Sequence, residues 1–323
     1  MHVEATQENN ELSASFHPET APLDQLTFVA VGPPRTGTTW LHEALADQAN
    51  LPQFNKETRF FDTNYDRGFQ WYAAHFDRSK QLPMGEICPT YFISSLAPQR
   101  ISRLAPRTKI LCTFRDPVAR IFSLYKIKQK YGLKSGTFEQ ALACDPELLE
   151  SGRYAFHFAR WRRAFGPENV LGMVYEDLTS DPQAYLDRIA TFVGIPPFRL
   201  ERRRLERANS SEGATRPRSP SLARMSVAVA EWLKARHRGH LVASFKRSKM
   251  NGLLLGGGHP VSKPSPATVH ELRKMLCSEV EMLEDLLDRD LSAWKGRGDR
   301  EDQSADGPPH VLGANTAGTG AAR

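Results

Sequence analysis

Three small groups of residues in this chain have the types and spacing to handle anions and move a proton. Arg35 stands in a glycine-rich turn, closely followed by Gly37, Thr38 and Thr39. Arg115 opens an R-D-P turn, and Ser123 follows eight positions later. Glu57 lies between them, flanked by Lys56 and Arg59 and followed by Phe60 and Phe61. Guanidinium forks, hydroxyls and free backbone N–H groups are the donors that grip phosphate and sulfate oxygens. A carboxylate among cations at the edge of an apolar pocket stays ionised yet can accept a proton. On its own, however, such a glutamate reads more readily as a surface ion pair.

The elements that position these groups can be read from apolar runs. Leu26–Val31 lacks the polar alternation of a half-exposed strand, as expected for a parallel strand buried on both faces. It breaks at Gly32, Pro33 and Pro34, and Trp40, Leu41, Ala44 and Leu45 then recur at helical spacing. Backbone N–H groups of Thr36, Gly37, Thr38 and Thr39 therefore face an anion at the positive end of a helix. The spacing is that of the nucleotide-triphosphatase loop G-x-x-x-x-G-K-S/T, but Thr38 replaces the lysine and the cation is Arg35. Further strands are expected at Met84–Ile87, Thr108–Phe114 and Val170–Tyr175. Helices are expected at Trp40–Gln48, Val118–Tyr131, Tyr154–Phe165 and Gln183–Val193. Asp181-Pro182 should start the last helix, and Gly194 with Pro196 should stop it. The alternation predicts an α/β fold, a P-loop-type parallel sheet flanked by helices, in a single domain with helical additions.

At this point the residues resemble a family. LTFVAVGPPRTGTTWL is similar to the 5'-phosphosulfate loop of sulfotransferases, and FRDPVARIFSLY to their 3'-phosphate motif, R-D/N-P-x-x-R-x-x-S-x-Y. KETRFFD, YDRGFQWY and GEICPTYF resemble segments of the branch containing heparan-sulfate sulfotransferases and their bacterial relatives. Weaker likeness continues through VLGMVYEDLTSDP to LEDLLDRDLSAW, so the sulfotransferase domain is expected over residues 25–295. The resemblance implies the donor 3'-phosphoadenosine 5'-phosphosulfate (PAPS), the product adenosine 3',5'-bisphosphate (PAP), and no metal. It places the branch's catalytic glutamate at Glu57. Arg35 would steady the bridging oxygen, Thr36–Thr39 the 5'-phosphate, and Arg115 with Ser123 the 3'-phosphate. Two departures stand out. Ile87 replaces a lysine that the branch often carries, with Lys56 or Arg59 as substitutes, and Gly256–Gly258 replaces a basic K-G-R in the loop expected over the 3'-phosphate. The histidine base of phenol and steroid sulfotransferases has no matching context; His75 reads as a half-buried packing residue, with a base role as the runner-up. Trp71, Tyr72, Tyr91 and Phe92 suit either an acceptor pocket or the core.

Composition bounds the rest. The 323 residues are 40% hydrophobic and 25% charged, ordinary for a globular domain. Residues 1–24 and 296–323 read as tails with little to bury. No stretch is long and apolar enough to span a bilayer, and no signal pattern opens the chain, so a cytoplasmic protein is expected. Four widely spaced cysteines read as reduced. The formal charge of +6 is concentrated between Arg199 and Lys249, a solvated face or a rim that steers anions. Nucleic acid is disfavoured as a partner, since no recognition signature accompanies that charge. The expected acceptor is a saccharide, lipid or small molecule. A P-loop kinase or triphosphatase is the competing enzyme class and lacks the loop lysine; a basic binding module ranks last.

Overall fold

The apolar run at Leu26 has no polar alternation because both of its faces are covered. In the computed structural model, which describes residues 23, 25–133, 136–201, 215–217, 219–235 and 257–296, it forms β1 (Leu26–Gly32). Val29 and Val31 enter one hydrophobic cluster, and Phe28 and Ala30 enter another on the opposite face. The chain continues through α1 (Thr38–Leu45), α2 (Phe69–Ala73), β2 (Met84–Ile87), α3 (Ala97–Leu104) and β3 (Lys109–Phe114). Then come α4 (Pro117–Lys130), α5 (Phe138–Cys144), α6 (Pro146–Glu150), α7 (Tyr154–Phe165) and β4 (Val170–Val174). The remaining elements are α8 (Tyr175–Ser180), α9 (Pro182–Val193), β5 (Thr215–Pro217), α10 (Pro220–Ala235), β6 (Gly257–Pro260) and α11 (Pro266–Leu287).

Four strands make one parallel sheet in the order β2-β1-β3-β4. The chain leaves β1 toward β2 on one side and returns past β1 to β3 on the other. The carboxyl ends of β1 and β3 are thus neighbours whose connections diverge, the switch point where open α/β sheets bind ligands. α1, α8 and α9 cover one face through Trp40, Leu41, Leu178, Leu186 and Ile189. On the other face α7 and α11 contribute Tyr154, Phe158, Trp161, Val280 and Leu283. A third cluster packs α4 against α5, α6 and α11.

The expected strands and helices are all present, with shifted ends that have physical reasons. Tyr175 opens α8 instead of closing β4. α4 and α9 begin at Pro117 and Pro182, whose missing N–H costs nothing in a first turn. Asp181 caps α9 by accepting from the Gln183 and Ala184 amides, and Gly194 closes it at φ 74°. Leu23 lies within the segment expected to be a tail, yet it is fully buried in the core. Most of the basic stretch Arg199–Lys249 falls outside the described residues, as does Gly256. Gly257–Pro260 forms β6, paired antiparallel with β5, and β5 packs against α4.

Gly37 shows why the first turn needs glycine. It sits at φ 91°, and a Cβ there would come within 2.8 Å of Leu178 Cδ2. Gly37→Ala is therefore expected to destabilise the protein by roughly 1–3 kcal/mol through the left-handed backbone alone. Thermal unfolding of the variant, with a lowered Tm, checks this.

Candidate functional site

The two arginine turns meet at the switch point. Arg35 leaves the β1 turn in the left-handed region at φ 75°, and its Nε donates to Ser123 Oγ on α4 at 3.0 Å. Arg115 leaves β3, and its backbone is fixed by the Tyr154 hydroxyl, which donates to the Arg115 carbonyl at 3.0 Å. Its guanidinium lies over the Tyr175 ring, 4.7 Å from the centroid. Asp116 caps α4 by accepting from the Ala119 amide and pairs with Arg273 of α11 at 3.2 Å. The expectation that Arg35, Arg115 and Ser123 share one sheet edge is met.

The cations are crowded. Burial, and next the charge of Arg115, hold the Arg35 guanidinium below its usual range. Lys126, one turn beyond Ser123 on α4, is lowered by burial and then by Arg115 and Arg35. Among the described residues none of the three forms a salt bridge. Like charges gathered without a paired carboxylate fit a multiply anionic ligand, whose binding would relieve their repulsion. Lys126 was missed in the sequence, although its i+3 spacing from Ser123 puts both on one helix face.

The first turn divides its labour. Thr36 is fully buried; its hydroxyl donates to the Pro33 carbonyl at 2.6 Å and lies 2.6 Å from Thr113 Oγ1. That side chain braces the turn against β3, leaving only its backbone for a phosphate. No side chain caps α1, whose first amides at Thr38 and Thr39 face the loop with the helix dipole behind them. Lys56 Nζ donates to Thr39 Oγ1 at 2.9 Å and lies 3.9 Å from Glu57 Oε1. Of the two substitutes expected for the lysine replaced at Ile87, Lys56 is the one that reaches the donor loop. Arg59 is exposed. Glu57 keeps 34% of its side chain accessible, on the rim beside that lysine. His42 on α1 is held neutral, its pKa lowered to about 4 by burial and then by Lys56.

Behind Glu57 lies a carboxylate that sequence reasoning read only as a motif letter. Glu86 of β2 is fully buried, and burial pushes its pKa up to about 7 against hydrogen bonds that pull it down. Thr58 donates to Oε1 through its amide at 2.9 Å and its hydroxyl at 2.6 Å. The Tyr72 hydroxyl donates to Oε2 at 3.1 Å, and the Tyr91 hydroxyl stands 3.3 Å from both oxygens. Tyr72, Tyr91 and Phe92 are therefore part of the core, while Trp71 is half-buried under Arg67. His75 is fully buried, more than the half-burial expected. Its Nδ1 bonds the Trp71 carbonyl at 2.8 Å and its ring packs edge-on to Trp71 and Phe54, which makes it a packing residue.

A parallel sheet with two adjacent cationic turns at its switch point, one on a glycine-rich strand-to-helix loop, defines an α/β protein built for a nucleotide-like polyanion. The chain belongs to the sulfotransferase domain family, which it matches over residues 27–218. It is 29% identical over 194 residues to the human bifunctional heparan sulfate N-deacetylase/N-sulfotransferase 3, covering 53% of this chain and 22% of that protein. It is 33% identical over 178 residues to the human heparan sulfate glucosamine 3-O-sulfotransferase 3B1, covering 52% of this chain and 45% of the relative. The match thus spans less than half the length of either relative. The crystal structure of a sulfotransferase from Alicyclobacillus acidocaldarius shares the fold, with a TM-score of 0.60, 20% identity, and coverage of 84% of this chain and 98% of that one.

The raised pKa of Glu86 makes stability depend on pH with a definite sign. The folded protein holds this proton up to about pH 7, whereas an unfolded glutamate releases it near pH ~4.3. The stabilisation is complete below the unfolded value and is lost as pH rises through about 7. Comparing Tm at pH 5 and pH 8 should show the wild type losing more than Glu86→Gln, which has no proton to release.

Proposed function

We propose that this chain transfers a sulfuryl group from PAPS to a hydroxyl or amine of a saccharide, lipid or small-molecule acceptor, with Glu57 as general base. The observation that carries the reading is the Arg35–Ser123 contact, which joins the turn after β1 to α4, the two segments that carry the motif pair. In this assignment the Thr36–Thr39 amides and the Thr38 and Thr39 hydroxyls hold the 5'-phosphate. Arg115 and Ser123 hold the 3'-phosphate, and Arg35 stabilises charge that builds on the leaving oxygen. Lys126 adds a third cation to the same crevice. Glu57, on the rim beside Lys56, takes the acceptor proton as the bond to sulfur forms. The named relatives act on heparan sulfate, which motivates a de-N-sulfated heparin oligosaccharide as the first acceptor to test. Cys88 and Cys112 are buried thiols that suit a reducing compartment, and we assign the chain to the cytoplasm on that basis.

PAP at a hundredfold excess over its Kd should raise Tm by roughly 5 °C or more. No shift with PAP, together with a shift by magnesium-ATP, would favour the kinase or triphosphatase reading. Arg115→Ala should weaken PAP binding roughly tenfold to a hundredfold, the loss expected for a charge-assisted contact. Glu57→Gln should lower turnover by roughly 10²–10⁴-fold while calorimetry finds PAP binding nearly unchanged. Treatment with EDTA is expected to leave the rate as it was.

A further inference from the structure

Glu86 is a fully buried carboxylate with no salt bridge among the described residues, so its desolvation is met only by hydrogen bonds. Those bonds converge on one short turn. Oε1 takes the Thr58 amide and hydroxyl. The same Thr58 hydroxyl oxygen accepts the Phe60 amide at 3.1 Å, and the Tyr91 hydroxyl oxygen accepts the Phe61 amide at 3.2 Å. The backbone N–H groups of residues 58, 60 and 61 therefore all end on Glu86, directly or through one hydroxyl. Arg59, inside this turn, has φ 53°, a backbone region that non-glycine residues occupy only where their surroundings hold them. The residue immediately before the anchored turn is Glu57.

We propose that Glu86 is the positioning residue for Glu57, its buried carboxylate anchoring the Thr58–Phe61 backbone so that the neighbouring side chain projects from a fixed point on the crevice rim. The role rests on reading Glu57 as the base. Core filling alone does not account for it: an apolar residue at position 86 would avoid the burial of charge but would leave the Thr58 amide and three hydroxyls short of their acceptor. Lys56, on the other side of Glu57, is tied to Thr39. The base is thus held between an anchor behind it in β2 and a second in the donor loop.

Thr58→Val tests this with little change of shape, because it removes the hydroxyl that bonds Glu86 while keeping the branched side chain. Thr58→Ser restores the hydroxyl. The assays are run at pH 8, where Glu86 is ionised, with radiolabelled PAPS and de-N-sulfated heparin oligosaccharide, or with water as the acceptor if the oligosaccharide is not used. Thr58→Val should lower kcat by roughly tenfold to a hundredfold, as a small misplacement of a reacting group does. PAP affinity should stay within about twofold, since the donor contacts are unchanged. Thr58→Ser should recover most of kcat. Hydrogen exchange gives a readout independent of the acceptor: amides in residues 57–64 should exchange faster in Thr58→Val while β1 and β3 keep their protection. Wild-type kcat with unchanged exchange in Thr58→Val would overturn the proposal, as would a parallel loss of PAP binding and of protection across the whole sheet. Full turnover in Glu57→Gln would instead overturn the base assignment, and is read separately.

Discussion

The constraint on which the site depends is the confinement of like charges. At the junction of β1 and β3, burial and then the charge of Arg115 lower the proton affinity of Arg35, and burial followed by both arginines lowers that of Lys126. Their crowding is sustained by rigid neighbours: the Thr36–Thr113 contact behind the first turn, the Tyr154 hydroxyl on the Arg115 carbonyl, and the Tyr175 ring under its guanidinium. A surface cluster of flexible lysines would relax by spreading into water. These arginines are held by a strained turn and a strand end, so the repulsion persists until an anion enters. Sheet order supplies the meeting point, and the side chains supply the charge.

The second half of the chemistry is arranged differently. The donor crevice uses charge at the end of a sheet, whereas the segment carrying Glu57 is fixed by a buried acceptor and two tyrosine hydroxyls. Lys56 links the halves through Thr39. That lysine also stands beside the Glu57 carboxylate, so one cation touches both the loop assigned to the donor and the residue assigned to the acceptor.

Much of this was legible in the residues. Apolar runs without alternation marked β1 and β3, and capping residues marked α9, because both are local properties of the chain. Arg35, Arg115 and Glu57 stood out because their neighbours formed motifs. Glu86 did not, because its importance comes from four donors spread over residues 58–91 and from its burial, neither of which any local pattern reveals. Lys126 was obscured by neighbouring lysines at 128 and 130, of which Lys128 turns away to Asp145 and Glu147. The aromatic pairs were ambiguous because rings suit a pocket as well as a core, and only packing separates the two; His75 was read as a packing residue and is one, more deeply buried than expected.

The two halves also differ in how far along the chain their contacts reach. The network around Glu86 closes within 33 positions at most, while the Arg35–Ser123 contact joins residues 88 apart. Closing a longer loop carries a larger entropic cost, and long-range contacts are made only after more of the chain is ordered. The hydrogen bonds that fix the segment carrying Glu57 are therefore closed over shorter stretches of chain, whereas the Arg35–Ser123 contact exists only once β1, β3 and α4 have come together.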